Sequence, residues 1–277
     1  MLDHDWIGNL RSAVAEQRDL FAAERSIAGR TVYEGLGEGG DRTLELDRRC
    51  EDIVFARLQG LHEAGAEFVA VSEERGEIPF GDPEAPWRVV IDPIDGSLNM
   101  RRTIPSFALS VAVASGPSMA DVELAFVHDF GADEEFTARR GTGAELDGEP
   151  LHAAGPGYGL EVVGIESAAP ARIAPVIAAL DGGAYRVRGV GAIAISLAYV
   201  AAGRFDAMLS ARSCRSVDAA AAQLIVREAG GVVQFAGLDL QDAGLGLDER
   251  FRVAAALDAE MLATVLEAQT QAPDEDG

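Results

Sequence analysis

Lysine is absent from this 277-residue chain. All 23 basic residues are arginine, set against 46 acids, for a formal net charge of −23. A surface of that sign repels nucleic-acid phosphates unless a local basic stripe overrides it. The densest basic runs are adjacent pairs such as Arg101-Arg102 and Arg139-Arg140, too short for one, so no nucleic-acid partner is expected. A GC-rich coding sequence explains the composition, as does a high-salt cytoplasm. Cysteine is scarce too: Cys50 and Cys214 form neither a disulfide framework nor a C-x-x-C pair. That usage fits a reducing cytoplasm. No apolar run approaches a membrane span, and the polar start M-L-D-H-D-W is unlike a secretory signal. A cytoplasmic protein with no membrane partner is the expectation.

What is present builds a substantial core. Hydrophobic residues make up 48% and charged residues 25%, room for one large domain or two small ones. Residues 3–28 and 47–64 keep a helical apolar stripe, and 68–72 reads as a short strand. Residues 35–41, G-L-G-E-G-G-D, read as a loop without structure of its own, and 76–86, with three prolines, as an exposed loop. The period then changes to two: strands are expected over 106–114 and 122–127, with a hairpin and turn over 135–150. From about 160 the rhythm is strand–helix–strand, ending in a helix over 259–269. The fold class is therefore α+β passing into α/β. Two parts are expected: 1–150, a helix pair with a mainly antiparallel sheet, and 151–277, an α/β part.

The chemistry concentrates in W-R-V-V-I-D-P-I-D-G-S-L-N, residues 87–99. An apolar run delivers Asp92 and Asp95, with Pro93 fixing the backbone between them. Buried carboxylates are expensive unless a positive charge sits on them. Hard divalent ions such as Mg2+ take oxygen ligands, and two carboxylates with the Ile94 carbonyl could bridge two ions roughly 3.5–4 Å apart. Gly96 and Ser97 open a helix, whose free N–H groups suit a phosphate. The alternative is a D-P turn in which Asp95 caps that helix. Glu73, after F-V-A-V-S, is either carried to the same sheet edge or is an exposed strand-end acid. Asp218 opens an apolar helix, as a dipole-compensating acid or as one facing something specific. Asp47 is by position a helix N-cap or a catalytic partner of Ser97.

The ordered set D…E-E…D-P-I-D-G-S…D-x-A-A resembles the inositol monophosphatase family of Mg2+-dependent, lithium-sensitive sugar phosphatases, over nearly the whole chain. The resemblance implies a layered αβαβα fold and a phosphomonoesterase in which water attacks phosphorus in line, without a phosphoenzyme. It implies Glu73, Asp92 and the Ile94 carbonyl at a first metal, and Asp92, Asp95 and Asp218 at a second. Asp47 and Ser97, with Glu73 assisting, resemble the pair that activates water; the Gly96 and Ser97 amides resemble the phosphate cradle. Two or three Mg2+ ions, inhibition by Li+, a small phosphate ester as substrate and a homodimer are implied with it.

Departures bear on the substrate. The usual threonine is Ser97, and the usual tryptophan before the last aspartate is Val217. The acid that grips sugar hydroxyls in animal-type inositol phosphatases is here Ala211. The R-S-V-D segment is more similar to archaeal and bacterial members that accept both inositol phosphate and fructose 1,6-bisphosphate. There Arg215 either binds a second phosphate, with Asp95 also facing the substrate, or makes a surface ion pair. The 35–41 loop resembles those members' catalytic loop, in which Asp41 would reach a third metal; it can equally be a passive linker. Histidinol phosphate, 3′-phosphoadenosine phosphate and NADP are alternative substrates, with Tyr158 and Tyr185 the only aromatics offered for an adenine slot. Relatives that partner transcription complexes supply an alternative of another class.

Overall fold

The computed structural model describes residues 1–36, 42–167 and 169–273. The chain opens with helix α1 (Trp6–Ala23), strands β1 (Tyr33–Leu36) and β2 (Arg42–Leu44), which pair as a hairpin, and α2 (Glu45–Glu63). Asp5 caps α1, its carboxylate accepting from Gly8 N at 2.9 Å. The helix stops short of the expected residue 28. Arg30 donates to the carbonyls of Phe21 and Glu24, satisfying groups that have no partner further along. Gly35 and Leu36, expected in a loop, belong to β1; the rest of that loop, with Asp41, lies outside the described residues.

Strands β3 (Phe68–Ser72), β4 (Gly76–Phe80), β5 (Arg88–Asp95), β6 (Ala108–Ala114), β7 (Val122–Asp129), β8 (Glu134–Arg139), β9 (Gly143–Leu146) and β10 (Glu149–Leu151) form one sheet. Its order is β10-β9-β8-β7-β6-β5-β3-β4, antiparallel throughout except for the parallel pair β3–β5. A five-residue helix, α3 (Ser97–Arg101), follows β5. The expectation of a loop over 76–86 fails at β4. Pro79 is tolerated because β4 is an edge strand, where a missing N–H costs no ladder bond.

The remaining elements are β11 (Leu160–Glu166), α4 (Pro170–Leu180), β12 (Ala184–Arg188), α5 (Ile193–Ala201), β13 (Ala207–Ser210), β14 (Cys214–Arg215), α6 (Ser216–Glu228), β15 (Val232–Phe235), β16 (Arg250–Phe251), β17 (Val253–Ala256) and α7 (Ala259–Gln269). The second sheet runs β12-β11-β13-β17-β15, its first three strands parallel. The two-residue strands β14 and β16 pair with each other.

Strand alternation assigns the layers. Leu109, Val111 and Val113 of β6 pack with Trp6, Leu10, Val54 and Leu58 of the first helix pair. Ala108, Ala112 and Ala114 face the other way, into a core shared with α5, α6 and one face of the second sheet. The opposite face of that sheet, through Val163, Leu209 and Ala256, packs on α4 and α7. Helix pair, sheet, helix pair, sheet, helix pair is the αβαβα order. The middle pair is sandwiched, which accounts for its composition: α5 and the A-A-A-A-Q-L-I-V run of α6 are buried on nearly every side.

Candidate active site

The parallel pairing of β3 and β5 creates the site. Ser72 stands opposite Ile91, so the residues that follow, Glu73 and Asp92, arrive at the same end of the sheet. Between Asp92 and Asp95 the register with β6 slips, Asp92 facing Ser110 and Asp95 facing Ala108. This bulge spends one extra residue around Pro93 and turns both acids away from a plain alternation. Asp92 steadies it by accepting the Ile94 N–H at 3.0 Å. Gly96 then takes φ +91°, and a Cβ there would stand 3.0 Å from the Ser106 carbonyl oxygen. Only glycine turns the chain into α3 here without strain.

From the second half, α6 brings Asp218 in its first turn; its carboxylate accepts the Arg215 N–H at 2.8 Å. Glu73, Asp92, Ile94, Asp95, Gly96, Ser97, Arg215 and Asp218 all line one cavity of about 620 Å3. Asp95 does not cap α3. Its Oδ2 accepts the Ala194 N–H at 2.6 Å, from the first turn of α5. Asp47 is not the N-cap of α2: Leu44 holds that position and Asp47 is buried in the first turn. It makes no hydrogen bond to Ser97, and its buried Oδ1 has no hydrogen-bond partner.

The electrostatics are those of crowded acids. Burial first, then the charges of Asp95 and Asp218, push the Asp92 pKa well above the carboxylate range. Burial and Asp218 do the same to Asp95. Asp218 is raised by burial, partly offset by the Arg215 N–H and guanidinium. Burial and the nearby charge of Glu74 raise Asp47 to about 7. Arg215 is no surface ion pair: it is mostly buried, its guanidinium on the Glu73 carboxylate.

The donor set suits a hard divalent ion: carboxylate oxygens, a backbone carbonyl and the orphaned Asp47 Oδ1 close behind. Among the described residues no three acidic, histidine or cysteine side chains are drawn tightly enough together to grip an ion as they stand. Glu73 is instead engaged by Arg215.

Other positions sort clearly. Ala211 does not line the cavity; it is buried in the apolar cluster beneath α4 and α7. Tyr158 and Tyr185 are 81% and 65% exposed and stand outside the cavity, so neither forms an adenine slot there. Asn99 and Glu166 are among the wall residues that no sequence motif singled out. Asn99 donates to the Ser106 and Val190 carbonyls, tying α3 to the turn before α5. Glu166, at the end of L-E-V-V-G-I-E, carries the signal that marked Asp92, an acid closing an apolar strand, and is 1% exposed.

The sequence profile of the inositol monophosphatase family matches residues 11–271. The chain belongs to the inositol monophosphatase family. It is therefore a phosphatase, a hydrolase of phosphate esters. The fructose-1,6-bisphosphatase/inositol-1-monophosphatase of Thermococcus kodakarensis is 34% identical over 92% of this chain and 91% of its own. The Nus factor SuhB of Escherichia coli is 32% identical over 70% of this chain and 71% of its own. A solved inositol monophosphatase–fructose 1,6-bisphosphatase superposes with a TM-score of 0.81 at 26% identity, covering 96% of this chain and all of the other.

Proposed function

We propose that this family member is a Mg2+-dependent phosphomonoesterase of small sugar or polyol phosphates, inositol 1-phosphate and fructose 1,6-bisphosphate among them. One observation carries the reading. Five carboxylates (Glu73, Asp92, Asp95, Glu166 and Asp218) border a cavity to which Arg215 is the sole cationic contributor among the described lining residues. A phosphate ester cannot enter so acidic a cavity unless cations line it first. When bound there, divalent ions supply Lewis-acid stabilisation of the phosphoryl oxygens and lower the pKa of water.

In this reading Glu73, Asp92, the Ile94 carbonyl, Asp95 and Asp218 hold the ions. The Gly96 and Ser97 amides, at the start of α3, receive the phosphate oxygens. Asp47, whose burial keeps it proton-binding near neutrality, and Ser97 accept and orient the proton of the attacking water, with Glu73 beside them. Arg215 turns from Glu73 toward a second phosphate, which suits a bisphosphate. A homodimer and a cytoplasmic setting belong to the same reading; among the described residues no helix is long and apolar enough to cross a membrane.

The test is phosphate release with Mg2+ on inositol 1-phosphate, fructose 1,6-bisphosphate, histidinol phosphate and NADP. Turnover is expected on the first two. Silence across the panel would favour the second reading, a partner of transcription complexes, to which the similarity to SuhB-named proteins points.

A further inference from the structure

Glu166 is a buried carboxylate in a wall already crowded with acids, and its charge adds to those that raise the Asp95 pKa. A neutral side chain would close the wall at less cost. What it does instead is collect donors. Oε1 accepts the Val190 N–H at 3.0 Å and the Ser196 hydroxyl at 2.5 Å; Oε2 accepts the Gly191 N–H at 2.8 Å. A carboxylate alone among side chains of this length accepts all three without offering a proton in return.

The donors bracket one point. Val190 and Gly191 precede α5 and Ser196 lies in its first turns, with Ala194 between them. The Ala194 N–H holds Asp95 Oδ2 at 2.6 Å, and the neighbouring Ile193 N–H also bonds that carboxylate. Asn99 secures the same turn from α3 through the Val190 carbonyl, and Gly191, at φ +81°, lets the backbone lie against it. Glu166 thus clamps the N-terminus of α5 on both sides of the amide that orients Asp95.

We propose that Glu166 is a positioning residue of the active site, acting through Val190, Gly191 and Ser196 to set the Ala194 N–H and so the aim of Asp95. The proposal rests on the reading of Asp95 as an ion ligand. Glu166→Gln replaces one acceptor oxygen with a donor that opposes a backbone N–H; Ser196→Ala removes a single strut. Each variant is compared with wild type by the Mg2+ concentration that half-saturates the rise in Tm, a measurement without turnover. Each is also compared by kcat and KM on inositol 1-phosphate and on p-nitrophenyl phosphate, which has no sugar hydroxyls.

Glu166→Gln is expected to raise the Mg2+ midpoint about 10- to 100-fold, the range for supporting residues of metal ligands. It should lower kcat on both substrates by a common factor, and Ser196→Ala should move both readouts the same way by less. A folded Glu166→Gln with an unchanged Mg2+ midpoint overturns the proposal. So does a loss confined to the KM for inositol 1-phosphate, which would make Glu166 a sugar-hydroxyl ligand. If Glu166→Gln does not fold, Ser196→Ala decides by the same criterion. A wild-type protein with neither a Mg2+-dependent Tm nor phosphate release sinks the active-site reading together with this one; an active wild type with indifferent variants sinks this one alone.

Discussion

Replacing Asp95 by asparagine should move activity and stability in opposite directions. The side chains have the same shape, and the amide oxygen can still accept from Ala194 N, so the fold is retained. What disappears is a charge among charges. Unit charges 4 Å apart interact by about 4 kcal/mol at an effective dielectric of 20, falling as the inverse of distance. Asp95 feels Asp218 and Glu166, and Asp92 feels Asp95. With protons shared among them, removing one charge relieves roughly 1–3 kcal/mol at neutral pH. At about 2–4 °C per kcal/mol, Tm in EDTA should rise by several degrees.

The pH dependence follows. The folded pKa of Asp95 is raised above its unfolded value near 4, so ionisation in the folded state is costly. That cost is absent below the unfolded value and grows as pH rises toward the folded one. Wild type in EDTA should therefore gain stability as pH falls from 8 toward 5, and Asp95→Asn should gain less. Activity with Mg2+ should fall at least about 100-fold, roughly 2.7 kcal/mol in transition-state terms. Calorimetry in EDTA and phosphate release with Mg2+ supply the two readouts. Near-normal turnover would refute the ligand assignment, and an unchanged or lower Tm in EDTA would refute the argument from crowded charge.

Arg215→Ala should harm fructose 1,6-bisphosphate hydrolysis by about 10- to 100-fold, the scale of a charge-assisted hydrogen bond, and inositol 1-phosphate hydrolysis far less. Steady-state kinetics on both substrates decides it, equal losses making Arg215 a partner of Glu73 only. Gly96→Ala forces a side chain into positive φ against the Ser106 carbonyl, costing about 1–2 kcal/mol in backbone strain and displacing Ser97. Tm and kcat should drop together, and an unaltered kcat would release Gly96 from the phosphate cradle. Glu51 is fully buried, held by the Ser72 hydroxyl and the Arg75 guanidinium, with burial raising its pKa to about 7. Its ionisation costs stability as pH climbs from about 4 through 7, so Glu51→Gln should flatten that decline. Urea midpoints at pH 5 and 8 measure it, a slope equal to wild type arguing against the shift.

Local pattern carried a large share of this protein. The D-P-I-D-G-S hexapeptide announced its fixed backbone at Pro93, the helix opened by Gly96 and Ser97, and its charge from residue types alone; the bulge between Asp92 and Asp95 shows only in the strand register. Proline, glycine and acids closing an apolar strand leave the backbone few other uses. Periodicity likewise placed most helices and strands, because burial on one face imposes it. Where burial comes from both sides or from an edge, periodicity is silent. β4 was hidden by Pro79, which only an edge position tolerates, and β14 and β16 are too short to repeat.

The site is another matter. Whether Glu73 meets Asp92 depends on β3 lying parallel to β5, whether Asp218 joins them depends on α6 entering between two sheets, and no spacing encodes either. The partners of Asp95 and Arg215, Ala194 and Glu73, lie 99 and 142 residues away. Glu166 closes an apolar strand as Asp92 does, but only the fold laid its carboxylate against the first turn of α5. Which side chains could do phosphate chemistry is legible in residue types alone, since it follows from chemical type. The tertiary structure alone decided which of them share a cavity, because convergence of distant residues is set by strand order and layer packing.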